Sequence, residues 1–292
     1  MRNKKIYWCG IIVIALTLVA SFCFISFIRL KEPVFFRYCI EVTEIPQEAG
    51  DFQIMELQYI TNSDDSRNII GIRFLQAPEF QFNASESPLI QSTGFMFSNT
   101  TQLKGEIIGR YSLRKAYVYM TNYQPELLKN GLELNQAQIT MSDGSSYTSD
   151  LGRIVLFGGK EMDQTFSQSY ISSSTGYTST SLYTVEGDTT LLELQSPLME
   201  DVKGVLEFSI NEVDTADFFP TVLKQGANLT IESKFTEFTE EDYDQYDIRP
   251  RLIYSKEDGS QGYMILYNNT WNRYFDGFWD LFHYLNRTRE VL

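Results

Sequence analysis

The densest set of groups able to do chemistry is the acidic run Glu240-Glu241-Asp242-Tyr243-Asp244-Gln245-Tyr246-Asp247. A hard cation such as Ca²⁺ is held by several carboxylate oxygens on a flexible loop, so this run is the candidate for a bound metal. It lacks the glycine and closing glutamate of an EF-hand loop, so a solvated acidic loop is the simpler reading and no residue is assigned as a metal ligand. The single histidine, His283, has Arg287 and Arg289 nearby. A proton relay through it needs a nucleophile or carboxylate partner that the spacing does not supply, which makes it a surface or packing histidine.

Other catalytic classes fail on counts. With one His, and Cys39 the only thiol after residue 31, structural zinc and Cys/His catalysis have too few ligands. No Gly-x-Ser-x-Gly nucleophile elbow occurs. A glycosidase needs two carboxylates about 5 to 10 Å apart, and 38 acidic residues offer pairs without selecting one. Catalytic and cofactor-binding residues are therefore assigned to none. Sugars stack on exposed aromatic rings, and among the 18 Tyr and 3 Trp the place to look for a glycan is the stretch around Tyr170, Tyr177 and Tyr183.

The elements that must position these groups start with 23 uncharged residues, Ile6 to Ile28, entered from Arg2, Lys4 and Lys5. As a helix this run is roughly 34 Å long, enough to cross a bilayer core. Val19 and Ser21 would suit a signal-peptide cleavage site. The apolar run continues past it through Phe22, Phe24, Ile25, Phe27 and Ile28, whereas a signal peptide's apolar region is about 7 to 15 residues, so an uncleaved anchor is the expectation. A lipoprotein anchor at Cys23 is disfavoured by Phe22 before it. Three basic side chains and the amino terminus precede the run, and Arg29 and Lys31 follow it, which predicts a cytoplasmic start and an extracytoplasmic body at the cell membrane.

Five of the 24 basic residues lie in residues 1 to 31, leaving 19 bases against 38 acids, a net charge near −19, for the 261 that follow. Such a body offers no footprint for nucleic acid. With Cys9 and Cys23 inside the apolar run, Cys39 is either a buried strand cysteine or the site of an intermolecular bridge beside the membrane.

Within the body, period-two alternation dominates. Arg37 to Ile45, Phe52 to Ile60, Asn68 to Leu75, Lys104 to Leu113, Lys115 to Thr121, Gln136 to Ser142, Gly152 to Phe157, Thr189 to Leu194, Lys203 to Asn211, Ala227 to Phe235, Arg249 to Tyr254 and Gly262 to Tyr267 read as strands. Turn signals such as Asp143-Gly144-Ser145 and Asp258-Gly259-Ser260 separate them. The fold class is mainly β, an antiparallel β-sandwich body of two tandem units after one N-terminal transmembrane helix. The expected division is 1–31 cytoplasmic start and anchor, 32–163 first unit, 164–183 a Ser/Thr/Tyr-rich linker or loop, 184–269 second unit and 270–292 an aromatic amphipathic helix.

In that last segment Trp271, Tyr274, Phe275, Phe278, Phe282 and Leu285 recur at three- and four-residue steps, widened by Trp279. A helix packed on the sheets and an interfacial helix returning to the bilayer both fit, and Asp276 and Asp280 favour the first. Asn83, Asn99, Asn228, Asn268 and Asn286 each head an Asn-x-Ser/Thr triplet.

The resulting reading is a membrane-anchored protein acting by binding or scaffolding in the cell envelope, with a protein or envelope glycan as partner and no cofactor. A glycan hydrolase using a carboxylate pair, and a sensor or regulatory subunit of a membrane complex, are the alternatives.

Overall fold

In a computed structural model the described residues are 2–45, 52–87, 105–121, 128–129, 131–158, 165–173, 177–236, 243–267 and 269–291. The chain opens with α1 (Arg2–Ile28), then β1 (Val34–Phe35), β2 (Tyr38–Ile45), β3 (Phe52–Asn62), β4 (Ile69–Phe74), β5 (Gln81–Ser85), β6 (Glu106–Ile108), β7 (Tyr111–Thr121), β8 (Leu132–Met141) and β9 (Ser146–Gly158). It continues through β10 (Phe166–Ser173), β11 (Thr178–Val185), β12 (Thr189–Gln195), β13 (Leu206–Ile210), β14 (Val213–Asp214), α2 (Thr215–Phe218), β15 (Thr221–Leu223) and β16 (Asn228–Phe235). The last elements are β17 (Gln245–Ile248), β18 (Arg251–Lys256), β19 (Gln261–Ile265), β20 (Asn269–Asn272) and α3 (Phe278–Val291). The protein is mainly β with an N-terminal apolar helix, as alternation predicts.

Four sheets result. Sheet A has the order β1-β3-β7-β5, with β6 also on β7; sheet B is β20-β17-β2-β9-β8-β4; sheet C is β10-β11-β16-β13-β14; sheet D is β15-β12-β18-β19. Pairing is antiparallel except within sheet B, where β2 runs parallel to both β17 and β9. The expected antiparallel layers are present, with these two parallel contacts added in sheet B.

Each strand's period of two divides its side chains between layers. Tyr38, Ile40, Ile154 and Leu156 of sheet B point into a core shared with Leu57, Tyr59, Ala116 and Val118 of sheet A. Their neighbours Cys39, Val155 and Phe157 point the other way, against Leu206, Phe208 and Phe235 of sheet C and Val202 of the preceding turn. A third core joins Val185, Leu229 and Ile231 of sheet C to Leu191, Leu252 and Tyr254 of sheet D. Sheet B is thus covered on both faces, which is why Ile154-Val155-Leu156-Phe157 is a continuous apolar run.

Three expectations shift. The strand read over 104–113 is a hairpin: Ile108 pairs with Tyr111 across Gly109 and Arg110, and Gly109 has φ +64°, the geometry a two-residue hairpin loop requires. Lys104 lies outside the described residues. The stretch expected as a linker or loop, 164–183, contains β10 and most of β11, paired from Phe166↔Val185 to Ser173↔Ser179. Its inward positions include the small hydroxyls Ser179 and Ser181, so burial there leaves no apolar alternation to read. The C-terminal helix starts at Phe278 rather than Thr270. Trp271 belongs to β20, where Asn269 is buried and donates its side-chain amide to the Ile248 and Leu266 carbonyls.

Through β17 and β20 the C-terminal part of the chain enters sheet B, so that sheet combines residues from both sides of the expected 164–183 boundary.

α1 runs into the body without slack. Ile28 and Leu30 are buried, and the Tyr111 hydroxyl donates to the Ile28 carbonyl at 2.7 Å. Asn62 grips Leu30 on both sides, accepting from its N–H at 3.0 Å and donating to its carbonyl at 2.8 Å. Arg29 pairs with Asp64 at 2.9 Å. Gly10–Ile28 is long and apolar enough to cross a membrane, and apart from Ile28 its described large side chains are exposed.

Candidate functional site

The acidic run predicted as a metal candidate is divided by the fold. Residues 240–242 lie outside the described residues, and Gln245 onward is strand β17 in sheet B. Asp244 is buried and fully engaged: it accepts from the Arg273 Nε at 2.6 Å, the Arg37 N–H at 3.0 Å and the Tyr284 hydroxyl at 2.9 Å. Burial pushes the Tyr284 hydroxyl well above its ordinary range, and the Asp244 charge adds to the effect. Asp247 pairs with Arg249 at 2.7 Å. Asp244 thus ties α3 and the segment after β20 to the start of β17. Among the described residues no cluster of three His, Cys, Asp or Glu side chains converges to hold a metal.

A second interlocked set joins sheets A and B. Arg114 is 3% exposed and donates to the Arg67 carbonyl at 2.7 Å and to the Asp65 carbonyl. Burial works to raise the Asp65 carboxyl, but hydrogen bonds from Arg67 and Thr61 outweigh it and hold the group down at about 2. Glu41 behaves in the opposite way. Burial raises its pKa, only partly countered by the Arg249 N–H at 2.6 Å and the Ser196 hydroxyl at 3.1 Å. In both sets the carboxylates are engaged with groups of the protein itself.

His283 is exposed on α3. Cys39 is completely buried between sheets B and C, with its thiol pushed far up by burial, so it cannot reach the thiol of another molecule while the body is folded. The three tyrosines named for glycan contact separate. Tyr183 is buried beneath sheet C, Tyr177 turns the chain at φ +58° with its ring 6.4 Å from Trp271, and Tyr170 is 56% exposed. Asn83 and Asn228 are exposed and Asn286 is half-buried, while Asn99 and Asn268 lie outside the described residues.

Only Tyr170 of these leads to a surface with ligand-binding character, the outer face of sheet C. There Ser172, Thr180, Glu232, Ser209 and Asp214 stand in register across five strands. The adjacent row is Thr178, Lys234 and Glu207. On the opposite side Tyr170 pairs with Leu182. A groove of about 350 Å³ opens over Thr178, Thr180, Glu207, Ser209, Asp214, Glu232 and Lys234.

Three carboxylates face one ammonium there, amid hydroxyl groups and beside an exposed phenol ring. That set accepts and donates hydrogen bonds around a polyhydroxylated ligand and disfavours an anionic one. Glu232 and Asp214 each lie one strand from Ser209, so their backbones are about 10 Å apart at the usual strand spacing. Asp214 also accepts from the Ala216 N–H at 2.8 Å and so caps α2. No residue pattern signals this convergence: Glu207, Glu232 and Lys234 occupy ordinary outward strand positions, and Thr178 and Thr180 belong to the stretch expected as a linker or loop.

No protein-family model matches the sequence, and no curated protein matches it. Among solved structures, a protein of unknown function from Porphyromonas gingivalis W83 aligns at 10% identity and TM-score 0.23 over 80% of this chain and 96% of its own. The protein PcdhgB3 EC1-4 aligns at 12% identity and TM-score 0.25 over 80% of this chain and 49% of its own. The sialic acid binding region of a Streptococcus sanguinis SK1 adhesin aligns at 11% identity and TM-score 0.23 over 80% of this chain and 76% of its own. Scores of this size transfer no site to the present chain.

Proposed function

We propose that α1 anchors this protein in a cell membrane with its start in the cytoplasm, and that the β body outside acts by binding. The polar groove of sheet C, flanked by Tyr170, takes a polyhydroxylated ligand of the envelope-glycan class. The observation that carries the reading is the contrast along one chain between an exposed apolar helix and an acidic body whose open sheet face is lined by hydroxyls and carboxylates. An exposed apolar helix in water is strongly disfavoured, and a lipid core removes that penalty.

The test is a panel of cell-wall and surface polysaccharides presented to the detergent-solubilised full chain. Binding lost in both Glu232→Gln and Tyr170→Ala supports the reading, and binding indifferent to both contradicts it. One alternative is a glycan hydrolase, which works with a pair of carboxylates, and Asp214 and Glu232 on the groove are the pair to test. Release of reducing ends that Glu232→Gln abolishes while binding persists would replace binding by turnover.

A further inference from the structure

α3 closes the end of the body from which α1 departs. Tyr111 touches both helices: its hydroxyl bonds the last carbonyl of α1 at Ile28, and its ring stacks on Phe278 at the start of α3, 5.9 Å between centroids and 8° from parallel. The Gly109 turn lies against the same ring, since a Cβ there would meet Phe278 at 2.5 Å. From this corner α3 passes to the start of sheet B, where Tyr284 reaches Asp244 and Phe36. Leu281, Tyr284 and Leu285 are its inward face.

Among its described residues the exposed side chains are Trp279, Asp280 and His283, and Phe282 is half-buried beside Trp279. Trp279 is 63% exposed and packs on Phe278 and Phe282 at 5.2 and 6.0 Å, and Tyr274 just before the helix is 77% exposed. Large rings left in water at one end of a body are characteristic of a surface covered in the working state. The position of Ile28 indicates what covers them. The span Gly10–Ile28 measures about 28 Å as a helix, close to the roughly 30 Å hydrocarbon thickness, so the edge of the lipid core falls near Ile28. Phe278 is two contacts away through Tyr111. The headgroup layer extends about 5 to 8 Å beyond the core, and Trp and Tyr prefer that depth because their rings combine an apolar body with a polar edge.

We propose that the outward aromatic face of α3, with Trp279 at its centre, lies in the headgroup layer of the bilayer that α1 crosses. The body is then fixed to the membrane at two places rather than swivelling on one. Asp276 and Asp280 do not oppose this for zwitterionic lipid. The Asp280 carboxylate accepts the Asp276 N–H at 3.0 Å and is committed to the start of the helix. This inference rests on the anchor reading, and the test separates the two.

The full chain is reconstituted in phosphatidylcholine vesicles containing lipids brominated near the headgroup. Trp8→Phe keeps Trp279 and the buried Trp271; the double variant with Trp279→Phe keeps only Trp271. The expected result is at least twofold greater fractional quenching in Trp8→Phe than in the double variant. Equal quenching in the two, whether Trp279 remains open to aqueous iodide or is shielded by a protein partner, overturns the proposal. Trp279→Phe alone reports on the anchor through Trp8. Quenching there with none attributable to Trp279 defeats only the docking of α3, whereas no quenching of Trp8 defeats the anchor itself. All substituted rings are exposed, so folding is preserved.

Discussion

Sheets B and C are neighbours, yet one spends both faces on packing and the other spends one. In sheet B, Tyr38 and Ile154 serve the core shared with sheet A while Cys39 and Val155 serve the layer against sheet C. In sheet C the inward Leu229 and Ile231 are buried, and the outward Thr180, Glu232 and Ser209 are at least partly open to solvent. A strand position constrained on both sides tolerates little. A strand with one free face can vary every second residue, so sheet C is free to carry the proposed binding surface while sheet B serves as the framework.

Glycine provides the sharpest way to break that contrast. Gly152 in β9 and Gly226 beside sheet C share φ +82°, but a Cβ at Gly152 would sit 2.2 Å from the Tyr38 carbonyl oxygen, and one at Gly226 meets nothing within 4 Å. Gly152→Ala should separate β2 from β9 and cost on the order of 4 kcal/mol or more, preventing recovery of folded protein. Gly226→Ala has only the left-handed backbone to contend with and should cost about 1 kcal/mol in urea titration. Equal effects would mean that sheet B is no more constrained than sheet C.

Asp244→Asn should be next in size. It leaves the Arg273 guanidinium partly buried without its charge partner, at about 3 kcal/mol. The measurement is the denaturation midpoint, with hydrogen exchange of α3 rising first because the bond to Tyr284 is weakened as well.

Acid and base should then act in opposite senses on two carboxyls, half-buried Asp65 and buried Glu41. Asp65 is depressed in the folded state, so its contribution is present above 3.8 and is lost as pH falls toward 2. About 2 kcal/mol is at stake, and Asp65→Asn should flatten that part of the stability profile. Glu41 is raised, so its contribution is intact below 4.5 and declines as pH rises through its folded value, a decline that Glu41→Gln should remove. The smallest change belongs to the groove: Glu232→Gln should shift stability by less than about 0.5 kcal/mol while reducing ligand binding. A large loss of stability there would reassign Glu232 to the framework.

Much of the framework was legible because its residues have one role each. The Asp143-Gly144-Ser145 and Asp258-Gly259-Ser260 turns form the same device, with the aspartate accepting the serine N–H at 2.9 Å in both and the glycine supplying a positive φ. The strand β17 was hidden because its buried residues, Tyr246 and Ile248, alternate with polar ones at the end of an acidic run. The hairpin of β10 and β11 was hidden because serine occupies positions inside as well as out. Trp271 misled because a strand and a helix separated by five residues happen to place aromatic rings at helical spacing. The groove was invisible for a different reason. Its residues lie on four strands, and register, which composition does not encode, brings Glu232 between Thr180 and Ser209.

The most direct test of an anchored body with sheet C facing outward is Thr180→Cys in the full chain, labelled on intact cells with a membrane-impermeant maleimide. Cys39 is buried, and Cys9 and Cys23 lie in α1, so the new thiol should be the reactive one. The account predicts modification before lysis, to the same extent as after it. Modification that appears only once the membrane is opened would contradict it.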